Sequence, residues 1–142
     1  MKVRKTSWGL VAGLVVVVGL PLLGHWCRRS AEPVCALDGV KIDPAYRVEA
    51  IDGSGGVHAF CGPQCARIWL SRQPDALYTV RVTDEVSGEW IDSAQAWYVR
   101  GSVATSPAAG NRVHVFRTRE DAERHARIYG GTVLSDSERP FH

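Results

Sequence analysis

The chain has 142 residues, a formal net charge of +2, 45% hydrophobic residues and 23% charged ones. That balance describes a globular protein and excludes a disordered one. Much of the positive charge flanks one N-terminal segment and none of it forms a basic stripe, so nucleic acid is not an expected partner.

The first element is the run from Trp8 to Trp26, which holds no charged residue and is rich in Val and Leu. At 1.5 Å rise per residue, a span of roughly 19 residues just crosses a hydrocarbon core of about 30 Å. Trp8 and Trp26 stand at its two ends, where indole rings favour the headgroup region. Pro21, near the end of the run, is tolerated in a membrane helix. A cleaved signal peptide and a lipoprotein acylated on Cys27 are the competing readings, but Gly24-His25-Trp26 fits neither processing signal well. All three lead to export. Lys2, Arg4 and Lys5 precede the run and Arg28 and Arg29 follow it, which favours a cytoplasmic N-terminus. The expected arrangement is a single-pass helix in the inner (cytoplasmic) membrane, in contact with lipid, with the C-terminal domain in the periplasm or outside the cell.

Residues 1–27 thus read as a membrane anchor, 28–33 as a linker, 34–136 as the domain and 137–142 as a tail. Tyr46 to Ile51 reads as a strand ending at the turn Asp52-Gly53-Ser54-Gly55-Gly56, and Val57 to Phe60 as its hairpin partner. Gly62-Pro63 opens a helix that ends near Gln73-Pro74, with Pro63 suited to the first turn. Strands follow at Leu77–Val82, Glu89–Ile91, Ala94–Val99 and Arg112–Phe116, with a loop over Thr105–Asn111. Thr118 caps a second helix, with Asp121 giving a variant capping box. This helix places Ala122, Ala126 and Tyr129 on its buried face and stops at Gly130-Gly131, before a short strand from Thr132 to Leu134.

An internal echo links Val57-His58-Ala59-Phe60 and Ala66-Arg67-Ile68-Trp69 to Val113-His114-Val115-Phe116 and Ala126-Arg127-Ile128-Tyr129. It suggests two related halves. The fold class that follows is α+β: a transmembrane helix, then a small domain of two similar strand-strand-helix half-domains.

Four cysteines are present, of which Cys35, Cys61 and Cys65 fall in the domain. Cys61 lies at a strand end and Cys65 in the first turn of a helix, so both thiols can face one point. The helix N-terminus would lower the thiol pKa there. Cys35, on a preceding knuckle, can complete a tripod, and Asp38 is the best-placed fourth ligand. Thiolates of this kind suit copper(I) or zinc. Met1 is the only methionine, which excludes a thioether-rich copper site. Two other readings stand beside the metal site: a Cys61–Cys65 disulfide in a structural or interaction module, and buried thiols that pack as small hydrophobes. Cys-Gly-Pro-Gln-Cys has one residue more than the thioredoxin motif, and no nucleophile–base pair is legible, so catalysis is not expected. His25, His58, His114, His125 and His142 are weaker candidates as ligands. His58 falls on the strand face of Phe60, away from the thiol.

Glu32-Pro33-Val34-Cys35 followed by Phe60-Cys61-Gly62-Pro63-Gln64-Cys65 resembles the TRASH and YHS class of small treble-clef-like metal modules. A longer resemblance, from Glu32 to Leu134, is to the NosL family of membrane-attached copper-delivery proteins. Its landmarks are Trp90-Ile91-Asp92-Ser93-Ala94 with Tyr98-Val99, Thr105-Ser106-Pro107 with Gly110, Val113 to Phe116, and Asp121-Ala122 leading to Gly130-Gly131-Thr132-Val133-Leu134. The resemblance implies an α+β fold of two similar halves, binding of copper(I), and delivery to a periplasmic or membrane metalloprotein, in that family nitrous oxide reductase. The sequence departs from the family pattern at Cys35-Ala36-Leu37, where Cys-Gly-Met is usual, and at Pro107-Ala108-Ala109, where Pro-Met-Gly is usual. The methionine ligands attributed to those sites are absent, while Cys61 and Cys65 add thiols that many relatives lack.

Overall fold

The computed structural model describes residues 32–73 and 77–141. The apolar run at 8–26, Cys27 and most of the linker lie outside the described residues. Among the described residues, no helix is long and apolar enough to cross a membrane.

The turn chemistry predicted around Asp52 is what closes the first hairpin. Asp52 Oδ1 accepts from the backbone N–H groups of Ser54 at 2.8 Å and Gly56 at 2.9 Å, joining β1 (Val48–Asp52) to β2 (Val57–Phe60). Helix α1 (Pro63–Leu70) follows with Pro63 in its first turn, then β3 (Tyr78–Thr83) and β4 (Trp90–Asp92). The second half runs through β5 (Trp97–Gly101), β6 (Val113–Phe116), α2 (Arg119–Tyr129) and β7 (Gly131–Val133).

Two antiparallel sheets result, ordered β2-β1-β3-β4 and β6-β5-β7. In each, a hairpin is followed by a helix and a strand that returns to the free side of the hairpin's first strand. The echo in sequence therefore marks a repeated topology, with β4 as an addition to the first half. Alternation sets the faces. In the first sheet Val48, Ala50, Phe60, Val82 and Ile91 share the core side, where α1 lays Trp69 over Phe60. In the second, Tyr98 and Val115 point to this main core, while Val99 and Phe116 face α2 and its Ala122.

Four local expectations change. Ala94 to Ala96 is a turn and not strand, because Asp92 Oδ1 captures the Ala94 N–H at 2.9 Å, and β5 begins only at Trp97. Thr118 caps α2 by accepting from the Asp121 N–H at 3.2 Å, yet the Asp121 carboxylate takes the Thr118 hydroxyl at 2.7 Å and does not reach back to the backbone. Tyr129 lies on the outer side of α2 at 56% exposed, stacked on His125 and not in the core. The segment expected as a tail packs: Phe141 lies against the main core and edge-on to Tyr98.

Candidate metal centre

The knuckle that carries Cys35 is fixed by backbone hydrogen bonds. Cys35 N–H donates to Val40 O and Gly39 N–H to Cys35 O, both at 2.8 Å, while Ile42 N–H reaches Pro33 O at 3.0 Å. Gly39 adopts φ +72, a left-handed conformation that side chains resist, so glycine closes this turn at low cost. Asp38 Oδ1 accepts from the Val40 N–H at 3.1 Å, which leaves Oδ2 free to turn inward. Ala36 N–H then donates to Ala59 O at 2.8 Å and ties the knuckle to β2, two residues before Cys61.

At the exit of β2 the chain passes Cys61 and Gly62 and enters α1, which brings Cys65 into the first helical turn. The two Sγ atoms lie 3.4 Å apart, and the Cys65 thiol donates to Asp38 Oδ2 at 3.6 Å. One donor atom from each of Cys35, Asp38, Cys61 and Cys65 lies within 4.8 Å of all the others. Metal–sulfur bonds of about 2.3 Å in a tetrahedron put ligand atoms about 3.8 Å apart, so the cluster needs only small shifts to close on an ion. The structure therefore brings together all four residues singled out in the sequence. Its three cysteines are free thiols, and the Cys61–Cys65 distance exceeds the about 2.05 Å of a disulfide.

Burial divides the set. Cys35, Cys61 and Cys65 are 2%, 2% and 3% exposed, whereas Asp38 is on the surface. This reverses the expected acidity of the helix thiols. Burial pushes Cys61 up, and the charge of Cys35 adds to the shift. Burial likewise raises Cys65, strongly, with its hydrogen bond to Cys61 next in effect. The start of α1 does not overcome the cost of placing thiolate charge in an apolar pocket. At Asp38 burial also works upward, but hydrogen bonds from Cys35, the Val40 N–H and Cys65 outweigh it and hold the carboxyl below its ordinary range.

Two further residues border the site and were not legible as such in the sequence. Ser106, in the loop before β6, lies beside the Cys61 side chain and slightly offsets the rise in its pKa. The fully buried Asn111 lays its carboxamide against the Cα of Gly62, where a β-carbon would collide with it. The only sequence signal was the landmark Thr105-Ser106-Pro107, which says where the loop is and not what it covers. Leu37 and Ala109, neighbours of the positions where methionine is usual or occupants of them, pack against the same core as the thiols.

The histidines stand elsewhere. His58 shares the face of Phe60, as its register predicts, and stacks on Trp69 with ring centroids 4.6 Å apart. His114 is buried against Glu85, and His125 stacks on it at 4.2 Å.

The chain is thus a small two-sheet domain of mixed helices and antiparallel strands, in which three buried thiols and one surface carboxylate gather at a strand–helix junction and could hold a metal ion. The chain matches the NosL family over residues 32–139 and belongs to that family. Its fold is similar to the crystal structure of the copper chaperone NosL from Shewanella denitrificans, with a TM-score of 0.63 and 22% sequence identity. That match covers 75% of this chain and 88% of the other. No curated protein sequence matches the chain.

Proposed function

We propose that this protein is a membrane-tethered, non-catalytic copper carrier that binds copper(I) through Cys35, Cys61, Cys65 and Asp38 and passes it to a periplasmic or membrane metalloprotein. The observation that carries the reading is the convergence of four donor atoms within 4.8 Å, three of them soft sulfurs. Membership of the NosL family and the fold shared with a copper chaperone support copper as the cargo. Zinc is the second reading, because a fourth, oxygen ligand at Asp38 completes the tetrahedron zinc prefers. The uncharged run at 8–26 supports a single-pass helix in the inner membrane, with residues 34–136 as the metal-binding domain outside the cytoplasm. From Cys27 to Cys35 an extended chain reaches at most about 30 Å, so the metal would be held close to the bilayer.

Metal analysis of the purified, reduced full-length chain tests this. The wild type should carry about one equivalent of copper(I), and Cys61→Ser should lose most of it, since the remaining thiols no longer enclose the ion. Equal metal in both proteins would remove these residues from the site. A wild type that binds neither copper(I) nor zinc, and that shows one free domain cysteine when isolated without reductant, would establish instead a module held by a Cys61–Cys65 disulfide.

A further inference from the structure

The four donors differ in both exposure and chemistry, and the two differences fall on the same residue. Asp38 is the one ligand at the surface, while the three thiols are at most 3% exposed. It is also the one hard oxygen among soft sulfurs, the poorest partner for a monovalent copper ion. Its carboxylate is already placed: Oδ1 is pinned by the Val40 N–H at 3.1 Å, and Oδ2 faces the Cys65 thiol at 3.6 Å. Cys61, by contrast, is 2% exposed, with the Asn111 carboxamide against the neighbouring Gly62.

From this arrangement, and resting on the copper site proposed above, we infer that Asp38 is the exchange ligand, the position through which copper(I) leaves for its acceptor. An incoming soft donor, a thiolate or thioether of the recipient, meets the ion on the Asp38 side because the other sides are closed by buried sulfur. Its sulfur lone pair forms the new bond to copper as the bond to Asp38 Oδ2 breaks. The ion stays monovalent and no electron is transferred. The carboxylate leaves as an anion held in place by Val40. Further donors of the recipient then displace the three cysteine sulfurs one at a time, each copper–sulfur bond breaking as a new bond to the recipient forms. Each freed thiolate takes a proton from solvent, and the Cys65 thiol resumes its hydrogen bond to Oδ2. The recipient that fits is therefore one presenting an accessible sulfur donor. A recipient that offers only carboxylates cannot compete with three thiolates.

The test is stopped-flow transfer of copper(I) from the loaded full-length chain to bathocuproine disulfonate, for wild type, Asp38→Asn and Asp38→Cys. Asp38→Asn keeps an oxygen for the Val40 N–H but is a weaker ligand, and Asp38→Cys installs a fourth soft one. Transfer should be several-fold faster in Asp38→Asn and slower by about tenfold or more in Asp38→Cys, in line with ligand softness. Equilibrium affinity in Asp38→Asn should change much less than the rate. Loaded variants that all transfer at the wild-type rate would overturn the exchange role and leave the thiol site standing. A wild type that takes up no copper(I) would overturn both.

Discussion

Replacing Glu85 with glutamine should change both the stability of the domain and its dependence on pH. His114 is 2% exposed, with Nδ1 at 2.9 Å from Glu85 Oε2 and Nε2 at 3.2 Å from Val103 O. Both partners accept, so an imidazole with hydrogen on both nitrogens satisfies them, and the arrangement favours the charged form. Burial works against that charge, but the Glu85 carboxylate and the Val103 carbonyl outweigh it and raise the His114 pKa above 6.5. A group raised in the folded state gives stability that is fully present below its unfolded pKa and lost as pH rises through its folded one. His125, stacked on His114, has the opposite sign: burial first and the His114 charge second lower its pKa, so it costs stability as pH falls below 6.5. Tyr46 lies edge-on to His114 and its hydroxyl is pushed up, so it stays neutral across this range. The His114 contribution is thus read most cleanly between pH 6.5 and 8, above the range in which His125 titrates and below that in which the unfolded cysteines ionise. Removing one partner of a buried pair costs about 3–5 kcal/mol, but His114 can shed its proton in Glu85→Gln, which limits the loss to about 2–3 kcal/mol at pH 6.5. Glu85 Oε1 also accepts from the Val115 N–H at 2.9 Å, a bond the glutamine oxygen can keep. Urea unfolding followed by tryptophan fluorescence should show wild-type stability falling from pH 6.5 to pH 8 and the variant nearly flat over that window; above it both proteins lose stability as the unfolded cysteines ionise. Parallel curves for the two proteins would refute the charged state assigned to His114.

Other substitutions probe the walls of the metal centre and of the core. Gly62→Ala drives a methyl group into the Asn111 carboxamide, and should cost about 1–3 kcal/mol and weaken metal binding, as overpacking at a closed site does. Denaturant titration and metal analysis of the same sample would check both effects. Tyr98→Phe removes the hydroxyl that donates to Ser93 O at 2.7 Å inside the core, and should cost about 1–2 kcal/mol in a thermal or urea melt.

Much of the fold is local, and local features are what a sequence records. The hairpin at Asp52–Gly56 follows from side-chain turn chemistry, and the start of α1 from Gly62-Pro63. Cys61 and Cys65 meet because a strand end and a first helical turn lie four residues apart, and Asp38 joins them because the Cys35 knuckle is short. What escaped prediction depends on distant neighbours. A helix N-terminus is visible in sequence and the depth of a pocket is not, so the upward shift of the buried thiols is not legible there. Tyr129 sits at helical spacing from Ala122, yet among the described residues nothing covers that side of α2 deeply enough to bury it. The charged state of His114 needs Glu85 and Val103, which are remote in sequence and brought to it only by packing.

The loop over Cys61 has a consequence for when the protein becomes competent. Cys35 and Asp38 stand early in the chain, but Ser106 and Asn111 arrive about 70 residues later, after the second sheet has begun to form. A chain still being made would present its thiols well before it could enclose an ion among them. A metal ion held in the finished geometry, as proposed above, would therefore report that both halves have folded, since a partly made chain has no completed cup in which to hold it.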